Sequence, residues 1–277
     1  MKISKLYLNK IDMTLIMLLI GGYFVVSVGL SFILSGQYAD IVSNTMLLLA
    51  LVFYITYIYK RHMEYSVYDS NSKHNYKQIE ALFNIFSMYK FDYPLPEMRH
   101  WAVSPDALLY LLREAIKSKA ALIVECGSGV STIVLAKLMK ENGVGHVYSL
   151  DHDESYAEKT RDLLKLHGLE SFATVITAPL SDMVIENKTY QWYSNEGVNQ
   201  IPDHIDMIFV DGPPAPEGSF NRFPALSVLR NKMRDHCHII MDDVIRNDEL
   251  EISKIWAKSL GRENVVYHDV EKKLAII

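Results

Sequence analysis

The chain has 277 residues, 49% of them hydrophobic, and a formal net charge of −5. This length allows one large domain or two small ones, and the hydrophobic share indicates that part of the chain is not water-soluble. Residues 1–60 hold four lysines and two aspartates, a charge of +2, so the remainder carries −7. An acidic soluble part argues against nucleic-acid binding, because phosphate contacts need clustered Lys and Arg.

Two apolar runs near the N-terminus are long enough to span a membrane. Residues 13–34 carry no charge, and residues 41–59 form a second such run. About 20 apolar residues are needed to cross a bilayer core. A cleaved signal peptide is the alternative for the first run, but its apolar part exceeds the usual length of about 15 residues. The sequence therefore predicts a transmembrane hairpin within residues 1–60.

Basic residues predict the orientation of this hairpin. They flank both spans and are absent from the connection, residues 35–40. The flanking residues are Lys2, Lys5, Lys10, Lys60 and Arg61. Because Lys and Arg concentrate on the cytoplasmic side, we expect both ends of the hairpin in the cytoplasm, at the inner membrane.

Residues 61–100 are predicted to link the hairpin to the rest of the chain. Residues 62–73 form a polar connector, and residues 78–89 carry apolar side chains at helical spacing. This second segment predicts an amphipathic helix that either lies on the membrane surface or packs on the soluble core. Pro94 and Pro96 end the regular structure.

From residue 101 onwards, strand and helix patterns alternate, which predicts an α/β fold with a mostly parallel sheet. Ser104 is expected to cap a helix that runs to about Lys117. Strands are predicted at residues 121–126, 146–151, 172–178, 205–211 and 238–242. Helices are predicted at residues 131–142, 154–167, 222–234 and 248–260, with an irregular segment at 180–203. Two last strands, 264–268 and 273–277, predict an antiparallel hairpin at a sheet edge.

The segment from Val124 to Thr132 joins the first of these strands to a helix. Gly127 and Gly129 let the backbone turn tightly and approach a ligand, and the helix start offers free N–H groups. Glu125 places negative charge where a diphosphate would lie, and Thr132 stands where the dinucleotide fingerprint has its third glycine or alanine. The turn therefore favours a nucleoside without a diphosphate.

Acidic residues end four of the predicted parallel strands. In such sheets ligands bind beyond the carboxyl ends of the strands, so these side chains are candidates for the site. The acids are Glu125, Asp151, Asp211, and Asp242 with Asp243. A carboxylate after the second strand can accept both ribose hydroxyls, which is the role predicted for Asp151. Asp153 is the alternative for this role, or it caps the following helix.

Five segments, taken in order, resemble class I S-adenosylmethionine (SAM)-dependent methyltransferases, and within them a bacterial methyltransferase-24-like group. These segments are WAVSPD (101–106), ECGSGVST (125–132), LDHD (150–153), VDGPP (210–214) and MDDV (241–244). The resemblance covers nearly all of the soluble part. It implies a Rossmann-like methyltransferase domain over residues 101–277, preceded by the two membrane helices, with SAM as the methyl donor.

The resemblance also implies roles for individual residues. The residues expected to bind SAM are Glu125, Gly127, Ser128, Gly129 and Ser131 near its methionine part, Asp151 at the ribose and Ala178 near the adenine, with Trp101 and Ser104 lining the same pocket. Asp211, Asp242 and Asp243 are the catalytic candidates, and they resemble the metal ligands of catechol-type O-methyltransferases. Their hard oxygens suit Mg²⁺ or Ca²⁺.

Two departures from the catechol-type pattern leave the role of these acids open. Asp243 stands where those enzymes have asparagine, and Gly212-Pro213-Pro214 where they place a lysine base. The acids can therefore hold a magnesium ion, or contact the acceptor and organise the loop without one. Four loop residues are further candidates to act on the acceptor: His152, His204, Arg222 and Arg246.

Taken together, the sequence predicts a membrane-anchored methyltransferase that methylates oxygen on a small or lipid-linked acceptor. A membrane-tethered module that binds SAM without turnover, in the service of a partner protein, is the alternative. A nicotinamide-dependent oxidoreductase is disfavoured by Glu125 and by the missing third glycine. Cys126 and Cys237 are expected as free thiols buried in strands, which fits a reducing compartment.

Overall fold

The computed structural model describes residues 10–34, 36–262 and 264–277. It contains two compact units, residues up to His74 and residues from Asn75. Of the residues that predict membrane orientation, Lys2 and Lys5 lie outside the described residues, as does Ser35 of the predicted connection. The boundaries predicted from sequence, at 60/61 and 100/101, remain predictions.

The first unit is built from helix α1 (Lys10–Ser31) and from the larger part of α2 (Gly36–Met88), within which the unit boundary falls. Both helices are long and apolar enough to span a membrane, by length and composition. Two contacts pair them in antiparallel fashion. Tyr23 Oη donates to Asn44 Oδ1 at 3.0 Å, and the Arg61 guanidinium makes two 2.6 Å bonds to the Asp12 carboxylate.

The predicted polar connector, residues 62–73, is helical and belongs to α2. The segment contains neither proline nor glycine, so nothing in it breaks a helix. Asp69 and Lys73 also form an ion pair one turn apart, at 2.5 Å. The polar composition of residues 62–73 therefore does not interrupt helix α2.

The described residues of the second unit form a seven-stranded sheet with helices on both faces and a separate two-stranded sheet. The strands are β1 (Leu122–Cys126), β2 (His146–Asp151), β3 (Ala173–Thr177), β4 (Leu180–Ile185), β5 (Lys188–Tyr193), β6 (Ile205–Val210), β7 (Met233–Met241), β8 (Val266–His268) and β9 (Leu274–Ile276). The helices are α3 (Pro105–Ser118), α4 (Val130–Asn142), α5 (Glu154–Leu166), α6 (Asn195–Val198), α7 (Pro224–Leu229) and α8 (Asn247–Ser259).

The order of strands across this sheet is β3-β2-β1-β6-β7-β9-β8. The first five are parallel, and β9 runs antiparallel to both of its neighbours. This arrangement confirms the mostly parallel sheet with an antiparallel C-terminal hairpin. The sheet separates two buried layers because side chains alternate along each strand: Ile123 packs with α3 and α4, whereas Val124 and Cys126 face α7 and α8.

The C-terminal end of α2 packs on this unit. Ala81, Ile85 and Tyr89 are buried in the same layer as α3 and α4, so the packing alternative is confirmed for this face. A second apolar face, with Ile79, Phe83 and Phe86, is exposed.

One local prediction is wrong, and two others hold in part. Residues 180–203 are not irregular: β4 and β5 pair as a hairpin whose turn residues Glu186 and Asn187 both have positive φ, a type I′ geometry without the usual Asn-Gly signal. The predicted helix 222–234 is shorter: α7 is followed directly by a 3₁₀ helix over Arg230–Lys232, and β7 begins at Met233. Ser104 is the N-cap residue of α3 as predicted, but its side chain makes no cap bond, because its hydroxyl donates to Asp106 Oδ1 at 2.6 Å.

Candidate active site

Backbone hydrogen bonds bring the predicted acids to one edge of the sheet. The amide of Asp211 donates to the Cys126 carbonyl at 3.0 Å, and that of Asp242 to the Val210 carbonyl at 3.1 Å. The amide of Gly127 donates to the Leu150 carbonyl at 2.8 Å. The parallel ladder thus continues past the strand ends, where ligands bind in open α/β sheets.

The glycine turn lies at the centre of this edge. Gly127 and Gly129 have φ of +106° and +154°, values that side-chain-bearing residues rarely adopt. A Cβ on Gly127 would lie 3.6 Å from the carbonyl carbon of Asp211, whereas one on Gly129 would meet nothing within 4 Å. The backbone at Gly129 is therefore open to a ligand, and α4 begins at the next residue, Val130.

Glu125 is completely buried beside this turn. Among the described residues, neither of its carboxylate oxygens has a hydrogen-bond partner. Burial raises the pKa of Glu125 to about 7, although the nearby hydroxyls of Thr132, Ser131 and Ser149 act in the opposite direction. A buried acceptor without a partner is costly, so a cationic ligand at this position would be strongly stabilised.

Asp151 is held at the end of β2. Ser128 Oγ donates to one of its carboxylate oxygens, and the amide of Asp153 donates to the other at 3.1 Å. Asp153 itself accepts from the amides of Ser155 and Tyr156. The prediction that Asp153 caps α5 is therefore confirmed. Ala178 is buried against Gly197 of α6, and its contact with adenine remains a prediction.

Two of the three catalytic candidates, Asp211 and Asp243, have their carboxylates against an arginine. Arg222 Nη2 lies 2.8 Å from Asp243 Oδ2 and 3.5 Å from Asp211 Oδ1. Arg246 and Lys272 approach Asp243 as well, at 3.1 and 3.7 Å.

The predicted magnesium site is not assembled. Among the described residues, no group of three or more His, Cys, Asp or Glu side chains is placed to hold a metal ion. The physical reason is the guanidinium of Arg222, which lies between Asp211 and Asp243 and already supplies positive charge to them. The acids as arranged do not fit a metal centre.

Asp242 differs from its neighbours because it is fully buried. Among the described residues, neither of its side-chain oxygens has a hydrogen-bond partner. Burial, together with the charge of Asp243, raises the pKa of Asp242 to about 6. Burial and the charge of Asp242 also raise the pKa of Asp211. A carboxyl group with a pKa near 6 can exchange a proton at neutral pH.

The other candidates lie in different places. His152 Nδ1 is 3.7 Å from Asp151 Oδ1, so it borders the site. His204 precedes β6 at its amino end, the opposite edge of the sheet. Trp101, expected in the pocket, is 77% exposed.

Sequence reasoning missed Tyr193. It is the last residue of β5, and it is buried where a Cβ on Gly212 would lie 2.5 Å from its hydroxyl. The aromatic run from Tyr190 to Tyr193 was the available signal, because such residues favour strands.

The sequence of this region matches a known family. Residues 124–244 match the family model described as "Methyltransferase domain". They contain the glycine turn, Asp151 and the acid cluster, which is formed by Asp211, Asp242 and Asp243. These residues form a class I SAM-dependent methyltransferase domain. The predicted enzyme class and the Rossmann-like fold are therefore confirmed.

Solved methyltransferases are similar to this chain at low identity. The SAH-bound methyltransferase of Podospora anserina is 14% identical with a TM-score of 0.49, over 72% of this chain and 86% of that one. The O-methyltransferase of Bacillus cereus in complex with SAH is 19% identical with a TM-score of 0.47, over 72% and 89%. Precorrin-6y C5,15-methyltransferase of Geobacter metallireducens is 15% identical with a TM-score of 0.49, over 68% and 95%.

Proposed function

We propose that this methyltransferase transfers the methyl group of SAM to an oxygen atom of a small or lipid-linked acceptor, at the cytoplasmic face of the inner membrane. The observation that carries the donor site is Glu125, a buried carboxylate that lacks a partner among the described residues. SAM brings an ammonium group, which would complete an ion pair there. Asp151, fixed by Ser128 and by the amide of Asp153, would accept the ribose hydroxyls.

An oxygen acceptor is supported by Asp242. Methyl transfer needs a free lone pair on the acceptor, in line with the methyl carbon and the sulfonium sulfur. A hydroxyl oxygen attacks the methyl carbon more readily when a base removes its proton, and Asp242 is buried with a pKa of about 6. In the proposed step the proton moves to Asp242 and the C–S bond breaks as the C–O bond forms. The products are a methyl ether and S-adenosylhomocysteine (SAH).

The proposed acceptor site is a cavity of about 320 Å³ whose lining includes Arg222, the residue that contacts Asp211 and Asp243. It is lined by loop residues including Pro213, Phe220 and Asn221, and by Arg246 and Asn247 at the start of α8. This volume lies within the range of small-molecule sites, which begins at roughly 300 Å³. A small acceptor, or the head of a larger one, fits this space.

Membrane anchoring is supported by two features. The two helices of the first unit meet the length and composition of membrane spans. In the second unit, a groove of about 640 Å³ lies between the end of α2 and residues 94–99, lined by Ile79, Phe86 and Leu95 among others. An exposed apolar surface of this kind suits a bilayer surface or an acyl chain.

The donor site is tested first, with the full chain in detergent. Calorimetry with SAH should give binding to the wild type and much weaker binding to Glu125→Gln. Undiminished SAH affinity in that variant would remove the central support of the proposal.

The acceptor is tested with SAM carrying a labelled methyl group, incubated with the full chain and a cell extract. Label in the organic phase indicates a lipid acceptor, and label in the aqueous phase a soluble one. Asp242→Asn is the control, and it should bind SAH while releasing little labelled product. SAH binding by the wild type with no labelled product in either phase would favour a SAM-binding module without turnover.

Anchoring is tested by alkaline carbonate extraction of membranes. The wild type should stay in the pellet. Leu49→Lys, which places a charge within the second apolar run, should weaken this retention. Complete release of the wild type would contradict the predicted hairpin.

A further inference from the structure

A buried arginine lies within the acid cluster at the ends of β6 and β7. Arg222 precedes α7, and only 3% of its side-chain surface is exposed. Burying a guanidinium is costly unless its donors are bonded and its charge is balanced. The structure meets both requirements.

Each nitrogen of the guanidinium donates to a backbone carbonyl. Nε donates to Pro213 at 3.4 Å, Nη1 to Asp242 at 3.0 Å and Nη2 to Asp211 at 2.9 Å. These carbonyls belong to the segments that follow β6 and β7. The side chain therefore joins the ends of two neighbouring strands.

Three carboxylates complete the surroundings of the guanidinium. Asp243 Oδ2 lies 2.8 Å from Nη2, Asp211 Oδ1 lies 3.5 Å from Nη2 and Glu249 Oε1 lies 3.8 Å from Nε. Burial alone would lower the pKa of Arg222, but these acids and Asp242 raise it on balance. The arginine is therefore charged, and three carbonyl and three carboxylate oxygens surround it.

Hard oxygen atoms around one positive charge are also the surroundings of Mg²⁺, Mn²⁺ or Ca²⁺ in proteins. We propose that the Arg222 guanidinium is the built-in cation of this site, standing where related folds would place a divalent ion. As a positioning residue it would hold Asp211 and Asp243 and keep the strand ends in register beside the acceptor. This inference concerns the charge inside the cluster, so it does not depend on which acceptor is methylated.

Arg246 offers a matched comparison. It also contacts Asp243 and Glu249, at 3.1 and 3.5 Å, but its side chain is 38% exposed. It approaches the same acids from the solvent side. Removing it should leave the interior of the cluster occupied by Arg222.

The experiment measures Mn²⁺ binding by electron paramagnetic resonance on the full chain in detergent. The wild type, Arg222→Lys and Arg246→Ala each retain a cation inside the cluster and should bind no Mn²⁺ there. Arg222→Ala leaves the acids without their cation and should bind Mn²⁺ at concentrations at least about 100-fold below the highest at which the wild type shows no binding. Adding Asp243→Asn to Arg222→Ala should abolish this binding, which assigns it to the cluster.

Two results would overturn the proposal. One is Mn²⁺ binding by the wild type that Asp243→Asn abolishes. The other is a folded Arg222→Ala variant, judged by circular dichroism, that binds Mn²⁺ no better than the wild type. If Arg222→Ala does not fold, Arg222→Gln takes its place, because its amide retains a donor for the loop carbonyls, and the wild-type titration still decides the first result.

Discussion

Replacing Glu125 by glutamine should stabilise the ligand-free protein and weaken SAM binding at the same time. The wild-type carboxyl is completely buried and has no partner among the described residues. Glutamine has nearly the same shape but no charge to bury. The substitution therefore separates the cost of the buried charge from its use in binding an ammonium group.

The magnitude follows from the pKa of this carboxyl. Burial raises the pKa of Glu125 from 4.5 to about 7. Between these values the folded protein retains a proton that the unfolded chain has released, so the free energy of unfolding falls as pH rises through this window. At about 1.4 kcal/mol per pKa unit, the loss above pH 7 is on the order of 3 kcal/mol. In Glu125→Gln this pH-dependent loss should be absent.

The affinity for SAH should fall in Glu125→Gln, although the stability of the ligand-free protein should rise. Removing one partner of a buried ion pair costs roughly 3–5 kcal/mol, which corresponds to a loss of SAH affinity of about 100-fold or more. The carboxylate must be ionised to hold the ammonium group, so wild-type affinity should rise as pH increases through the pKa of about 7. The affinity of the variant should be independent of pH in this window.

The assay is chemical denaturation and SAH calorimetry of the full chain across this pH range. Glu158→Gln is the control, because Glu158 is exposed on α5 and should change neither quantity. A Glu125→Gln variant with the wild-type pH dependence of stability would refute the stated cost of the buried charge. Wild-type SAH affinity in the same variant would refute its role in binding.

Three further predictions concern the rest of the site. Asp151→Asn should lower SAH affinity by roughly 10- to 100-fold in calorimetry, because a charged acceptor for the ribose hydroxyls is lost. Asp153→Ala should leave SAH affinity unchanged. It should instead lower the free energy of unfolding by about 1 kcal/mol, because the α5 cap is lost. Asp242→Asn should reduce turnover at least about 100-fold while leaving SAH affinity unchanged, and wild-type turnover should decline as pH falls through about 6. Gly212→Ala should destabilise the fold by about 1–3 kcal/mol, because its Cβ would lie 2.5 Å from Tyr193 Oη, and Tyr193→Phe in the same chain should recover part of this loss. Independent, additive effects of these two substitutions would contradict the contact.

The parallel part of the fold could be predicted from sequence because its strands are short, apolar and separated by amphipathic helices. β2 has the predicted bounds, and β1 differs by one residue. The hairpin of β4 and β5 was missed because β4 is largely exposed and shows no clear alternation of apolar and polar residues, although the aromatic residues of β5 were an available strand signal. Its turn residues, Glu186 and Asn187, also lack the glycine that usually signals a hairpin.

The site could be predicted only where the chain itself fixes the position of a side chain. Residues at the ends of parallel strands meet at one edge, so the proximity of Asp211 and Asp242 followed from the order of strands. Arg222 lies in a loop, and nothing in its sequence neighbours shows that it turns inward. Its position depends on carbonyls at Pro213 and Asp242, which no local pattern reveals.

The distribution of charge explains why an acidic edge can serve a cationic donor without a metal. Asp243 is compensated by Arg222, Arg246 and Lys272, so its negative charge is already matched. The side-chain oxygens of Glu125 and Asp242 have no hydrogen-bond partner among the described residues, and burial raises the pKa of each towards neutrality. These two acids are therefore the ones that gain most from a positive ligand or from an acceptor proton. Arg222 therefore balances the negative charge of Asp211 and Asp243, and Glu125 and Asp242 remain available to SAM and to the acceptor.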